Sequence, residues 1–219
     1  MQIDIISDTV CPWCYIGKQR IEAALAELTD IDFDVRWRPF QLNPDMPAEG
    51  MDRKDYMAMR FGAANGGGKK NPVYQRLQAA AAEDGIALNF DKVGRMPNTL
   101  DSHRLMKWAA GANCENEMAE ILFRRYFTDG EDISDHAVLI EAAKEAGMDG
   151  DLVADLLAGD SDKETIQQED MMAREMGVSG VPSFLIDQKF LIPGAQDTQD
   201  IVRILTRMHE KAQKKAAEA

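Results

Sequence analysis

The run Asp8-Thr9-Val10-Cys11-Pro12-Trp13-Cys14 constrains this chain more than any other, because it sets two cysteines three residues apart at a strand-to-helix junction. Before it, residues 2–7 (QIDIIS) are isoleucine-rich and read as a buried strand. After it, Ile21, Ala24, Leu25 and Leu28 recur at the spacing of one apolar helix face. Extended backward, that face takes in Gly17 and Cys14. Asp8 and Thr9 are candidate caps, and Pro12 suits the first helical turn, where its missing N–H costs nothing. A pair so placed sets the first sulfur beside unpaired backbone N–H groups and the positive end of the helix dipole. Both favour thiolate over thiol, so Cys11 is expected to be the nucleophile. Cys14, one turn further on the apolar face, is expected to be buried and to resolve the mixed disulfide that Cys11 forms.

Cysteine usage supports a chemical role. The 219-residue chain has three cysteines, too few for a disulfide framework. Cys114, far from the pair, opens a helix at 113–115 and reads as an inert structural thiol. A structural zinc site needs about four nitrogen or sulfur ligands. The sequence offers no second CxxC and only three scattered histidines, so no metal is expected. A purely structural disulfide between Cys11 and Cys14 would close too short a loop to constrain the unfolded chain much.

Further along, Ile31, Phe33, Val35 and Trp37 alternate with charged residues up to Pro39, the pattern of a second strand. Strand, helix, strand makes a βαβ unit. From about 52 to 176 helical signals dominate. Leu100, Arg104 and Trp108 mark one helix, and Met118, Ile121, Leu122 and Tyr126 another. Val138, Leu139, Ala142 and Ala143 mark a third, ending at Gly147. Ser161 with Glu164 reads as the capping box of a fourth. Strand signals return at 183–187 and 189–194 as a hairpin, before a last helix with Ile201, Ile204, Leu205 and Met208 on one face. The order predicts one α/β domain, residues 1–45 plus 177–219, interrupted by an all-helical insertion over 46–176.

Composition narrows the function. A formal net charge of −13 argues against a nucleic-acid partner, which needs a basic footprint. The one basic cluster, in MHEKAQKKAAEA, is interleaved with Glu210 and Glu218 and reads as a solvated helix end. No apolar stretch approaches the roughly 20 residues of a membrane span. The N-terminus lacks a basic region and a small-residue cleavage site, so a cytoplasmic location is expected. The run NGGGKKNP (65–72) lacks the spacing of a P-loop and reads as a mobile loop. The thirteen methionines read mainly as core filler.

Four segments resemble one family in matching order. DTVCPWCYIGK (8–18) is similar to the DsbA-like branch of the thioredoxin superfamily, especially its FrnE-like members. GVSGVPSFLID (177–187) is similar to that family's proline loop, and PNTLDSHRL (97–105) and IPGAQ (192–196) extend the match over nearly the whole chain. The resemblance implies a thioredoxin fold, βαβ…ββα, with the helical insertion between its halves. It implies a cis Val181–Pro182 bond that turns the Val181 backbone toward the sulfurs. It leaves the Val181 backbone to pair with a substrate strand and puts His103 and Arg104 on a family-like segment that either lines the cleft or packs the helix, as a lone helical histidine more often does. By position, Trp13 and Tyr15 read either as an aromatic rim around the sulfurs or as helix packing, with Trp13, inside the CxxC, expected to be the exposed one and a substrate contact. The expected cleft lies between the insertion and the proline loop, at the Cys11 end of the sheet.

The implied function is thiol–disulfide exchange or isomerisation through the Cys11–Cys14 pair, with Pro182 as part of the site. The expected partners are protein or peptide disulfides, with no resident cofactor and glutathione as a conceivable co-substrate. Monomer and dimer both stay open. The alternative is a glutathione-dependent isomerase or transferase acting on a small aromatic molecule. It follows from the related 2-hydroxychromene-2-carboxylate isomerases and kappa-class glutathione transferases. Those relatives carry serine where this chain has cysteine, and the departure favours redox chemistry.

Overall fold

The computed structural model describes residues 1–62 and 71–217; residues 65–70 of the glycine-rich run and Glu218 lie outside the described residues. The chain opens with β1 (Gln2–Ser7), α1 (Pro12–Glu27) and β2 (Asp34–Pro39). A mostly helical stretch follows: β3 (Met51–Asp52), α2 (Arg53–Phe61), α3 (Pro72–Glu83), β4 (Arg95–Met96), α4 (Leu100–Gly111) and α5 (Glu115–Phe123). Past α5 the helix runs on through Arg124–Asp129 as a wider π-helical turn. Then come α6 (His136–Glu145), α7 (Gly150–Ala158) and α8 (Lys163–Glu175), and finally β5 (Ser183–Ile186), β6 (Phe190–Pro193) and α9 (Thr198–Ala217).

Four strands form one sheet in the order β2-β1-β5-β6. β1 is parallel to β2 and antiparallel to β5, and β5 pairs with β6 as a hairpin. Central β1 is covered on both faces, which explains its unbroken apolar run. Ile3 and Ile5 enter the main core, whereas Ile6 on the opposite face meets Phe40, Ala173 and Val178. The main cluster runs without a break from Ile3 and Phe184 to Leu122 and Leu139. α1 packs along α9, and α4 and α8 pack on β2. No helix among the described residues is long and apolar enough to cross a membrane.

The structure departs from the sequence pattern in four places. β2 starts at Asp34 rather than Ile31, because Gln2 pairs with Asp34 and β1 offers no earlier residue as a partner. The strands β3 and β4 pair antiparallel inside the helical stretch. α7 was not read from the pattern; it is capped by Asp149, whose carboxylate accepts from Asp151 N and Leu152 N. Ser161 does not cap α8. Asp162, with φ of 61°, precedes the helix, and the Ser161 carbonyl accepts instead from Arg104 Nε at 2.6 Å.

Candidate active site

The register of the sheet brings the cysteines and the proline loop together. Ile6 of β1 pairs with Ser183 of β5, so the residues just after β1 lie beside those just before β5. The Val181–Pro182 bond is cis, and the Cys11 thiol donates to the Val181 carbonyl at 3.5 Å. Gly17 permits this approach. A Cβ there would stand 2.8 Å from Pro182 Cγ and 3.3 Å from Phe184 Cζ, closer than packed atoms allow.

Cys11 is the N-cap of α1, in extended backbone with φ −92° and ψ 112°, and Pro12 is the first helical residue. The Cys11 carbonyl accepts from Cys14 N at 3.0 Å and Tyr15 N at 3.3 Å. No side chain caps this helix, so first-turn N–H groups remain for a sulfur or a bound group. The expected caps are engaged elsewhere. Asp8 Oδ2 accepts from Leu42 N at 2.7 Å, and Thr9 Oγ1 lies 2.8 Å from Ser102 Oγ.

Cys14 is almost fully buried, and all three cysteines are free thiols. Burial pushes the Cys14 thiol well above its ordinary pKa, and the hydrogen bond to Cys11 and the charge on Cys11 push it further. The Ser7 hydroxyl and the Asp8 backbone oppose this by stabilising the Cys14 anion. Cys14 is therefore held as a thiol. Cys114, at the N-cap of α5, is also pushed up by burial and by Glu117 and Glu115. No group of three or more metal-ligating side chains occurs among the described residues.

A cavity of about 280 Å³ opens beside the pair. Val10, Pro12 and Trp13 form its inner edge, and Tyr56, Phe90 and Phe127 from the helical stretch face them. Its wall is aromatic: Phe90 meets Phe127 edge-on at 5.9 Å and Tyr74 at 5.5 Å. The tyrosine hydroxyls are already engaged. Tyr56 donates to Asn43 Oδ1 at 2.9 Å, and Tyr126 donates to the Arg95 carbonyl at 3.0 Å. The one charged side chain among the described lining residues is Arg53, whose guanidinium lies 5.0 Å over the Phe90 ring.

Several expected site residues stand elsewhere. Tyr15 is buried, stacked on Phe123 at 5.1 Å, and its hydroxyl donates to Glu120 at 2.6 Å. Val181 touches Cys11 without lining the cavity. His103 does not line it either; it is buried behind β1, with Nε2 3.4 Å from Asp8 Oδ1. Arg104 is fully buried, donating to the carbonyls of Leu156, Gly159 and Ser161 and to Asp101. The α4 face that holds both residues turns inward, because Ser102 and Leu105 beside them are buried too. Sequence reasoning missed Phe90 and Phe127. The available signal was the aromatic spacing Phe123, Tyr126, Phe127, an i, i+3, i+4 run that sets three rings on one helix face.

Comparison with known proteins agrees with this geometry. Residues 2–206 match the DSBA-like thioredoxin domain. The uncharacterized protein YwbO of Bacillus subtilis (strain 168) is 28% identical over 196 residues, covering 89% of this chain and 90% of its own length. A probable DsbA oxidoreductase from Streptomyces coelicolor superposes with a TM-score of 0.82 at 28% identity, over 94% of this chain and 89% of that one. The cytosolic disulfide reductase DsbM from Pseudomonas aeruginosa with GSH shares the fold, with a TM-score of 0.70 and 16% identity over 96% and 100% of the two chains. With a sheet, a cysteine pair and a proline loop in this arrangement, and a match spanning residues 2–206, the chain belongs to the DSBA-like thioredoxin domain family.

Proposed function

We propose that the protein is a thiol–disulfide oxidoreductase that exchanges disulfides with protein or peptide substrates through Cys11 and Cys14. One observation carries the reading. A cysteine capping α1 lies 3.5 Å from the Val181 carbonyl, and a second, buried thiol follows one turn later. The Cys11 thiolate attacks a substrate disulfide, bonds to one sulfur and releases the other as a thiolate. Cys14 then attacks the Cys11 sulfur, forming the Cys11–Cys14 disulfide and freeing the second substrate sulfur. Two electrons pass from the pair to the substrate; the reverse sequence oxidises, and a return before resolution isomerises.

Val181 and Pro182 border the point of attack, and Trp13 stands where a substrate would cross. The cavity beside Trp13 suits a large apolar side chain near the substrate cysteine. Burying one is worth about 1.5–3 kcal/mol. Against a reducing cytoplasmic thiol pool, reduction or isomerisation is the favoured direction. Glutathione would then regenerate the pair as co-substrate, with no resident cofactor.

The aromatic cavity also favours a second reading, a glutathione-dependent isomerase or transferase of a small aromatic molecule. Two cysteines where such chemistry needs none weigh against it. Insulin reduction with the two serine variants separates the readings. Cys11→Ser should abolish turnover and Cys14→Ser should accumulate mixed disulfides at Cys11. Repeated turnover by Cys14→Ser, with substrate captured by Cys11→Ser, would reverse the roles. Undiminished conversion of an aromatic substrate by the double variant would favour the second reading.

A further inference from the structure

The arginines of this chain follow a pattern with one exception. Among the described residues, Arg20, Arg38, Arg104, Arg124 and Arg125 are buried or half-buried, and each is paired with a carboxylate. Arg53, the first residue of α2, is half-buried too, yet its guanidinium has neither an ion pair nor a hydrogen bond among the described residues. Its neighbour Asp52 is occupied as the cap of α2, accepting from Lys54 N and Asp55 N. A cation held partly out of water without an anion costs stability, and a ligand that brings the anion offsets that cost.

Arg53 stands in the wall of the aromatic cavity of about 280 Å³, facing the edge formed by Val10, Pro12 and Trp13, the residues on either side of Cys11 in the chain. Its guanidinium lies 5.0 Å over the Phe90 ring. Stacking occupies one face of the planar group and leaves its N–H edges, which fit a carboxylate through two parallel hydrogen bonds. No Asp or Glu is among the described lining residues. The tyrosine hydroxyls of the wall are engaged within the protein. Tyr56 and Tyr126 donate to Asn43 and Arg95, and the Tyr74 hydroxyl accepts from Gln78 Nε2 at 3.2 Å.

We propose that Arg53 sets the substrate class of the Cys11–Cys14 pair by selecting disulfides in acidic aromatic peptides, which rests on the disulfide-exchange reading. The cavity holds an aromatic side chain next in sequence to the substrate cysteine, against the rings of Phe90 and Phe127. Arg53 binds a carboxylate beside that aromatic residue, from an acidic side chain or from the end of the peptide. The chemistry at the guanidinium is the same for both. The selection runs against the net charge of −13, which at long range attracts basic peptides. The sign of the preference therefore tells the local cation from the global field. Arg53 is a specificity-determining residue and takes no part in the transfer of electrons.

Cysteine peptides activated as mixed disulfides with 2-thiopyridine supply the test. Attack by Cys11 on the peptide sulfur releases the pyridinethiolate, which takes up a proton and is read by absorbance as the uncharged thione. Acetylated, amidated Asp-Phe-Cys and Cys-Phe-Asp are compared with forms carrying Asn or Lys for Asp, or Ala for Phe. Cys-Phe is added with a free carboxylate end and with an amide end. In the wild type the better acidic peptide should react about tenfold faster than its Asn form, the scale of a charge-assisted hydrogen bond in a half-exposed site, and faster still than its Lys form. Replacing Phe by Ala should also cost about tenfold. Arg53→Gln should bring the acidic and Asn forms to within about twofold, and Arg53→Lys should keep part of the preference. Arg53→Glu should reverse it in favour of the Lys peptide. Each variant is read as a ratio between peptides, so a general loss of rate or of folded protein does not enter. A free carboxylate end preferred over the amide, and lost in Arg53→Gln, supports the proposal with the chain end as the source. Preference confined to the Asp peptides supports it with the side chain as the source. Equal wild-type rates for the Asp, Asn and Lys peptides and for both Cys-Phe ends would overturn it, as would an acid preference undiminished in Arg53→Gln and Arg53→Glu. Release of thione from no peptide, or release as fast by Cys11→Ser, would refute the disulfide-exchange reading itself and the proposal with it.

Discussion

Gly17 shows how one residue fixes the geometry of the cysteine pair. A methyl group added there has two effects of opposite sign. Alanine is about 1 kcal/mol better than glycine inside a helix, but overpacking a tight contact costs about 1–3 kcal/mol. With Pro182 Cγ only 2.8 Å from the added carbon, and Pro182 held at the start of β5, the clash should win. Gly17→Ala is expected to lower stability to urea and to slow disulfide exchange, because the Val181 carbonyl moves off the Cys11 sulfur. A more stable variant with unchanged exchange would show that the loop yields freely. The positions of Cys11 and Cys14 were legible in the sequence, since spacing and helix phase fix which residue caps the helix and which lies one turn further in. His103 was not. Its segment looks like a cleft segment, but only the packing of α4 against β2 and α8 decides which way the imidazole points.

At the scale of elements, the strongly periodic segments were legible and the junctions were not. β1, α1, the closing hairpin and α9 appear where the apolar spacing puts them, because their patterns are long and their burial one-sided or complete. The caps were misread where tertiary partners competed. Ser161 gives its carbonyl to Arg104 rather than capping α8, and no local pattern announces a guanidinium from 57 residues away. That guanidinium holds the turn between α7 and α8 through three carbonyls, at 2.6 Å (Ser161), 2.5 Å (Leu156) and 2.9 Å (Gly159). Arg104→Met keeps much of the volume and removes the donor from three carbonyls, at about 1–3 kcal/mol for one that water does not reach. Gly159 and Ser161 are exposed and Leu156 half-buried, so we expect a loss of about 1–3 kcal/mol in denaturant unfolding, with the Cys11 reaction in the surviving folded protein near normal. A loss under 1 kcal/mol would mean that water replaces the guanidinium and that the clamp is dispensable.

For the whole molecule, the order βαβ, helical stretch, ββα was readable because each part carries a different hydrophobic period. The aromatic cavity was not readable. Its inner edge comes from residues 10–13, and its facing wall from α2, α3, the loop before β4 and the π-helical turn. Such a surface exists only once the helical stretch has docked over the end of β1. The proposed function depends on the Cys11–Cys14 pair cycling between dithiol and disulfide. Equilibrating the protein across a series of glutathione redox buffers and mapping its disulfides by mass spectrometry tests that directly. One two-electron transition is expected, with Cys11 joined to Cys14 in the oxidised form and Cys114 a thiol throughout. Failure of Cys11 and Cys14 to form a reversible disulfide under any buffer, with glutathione adding to Cys11 alone, would contradict it.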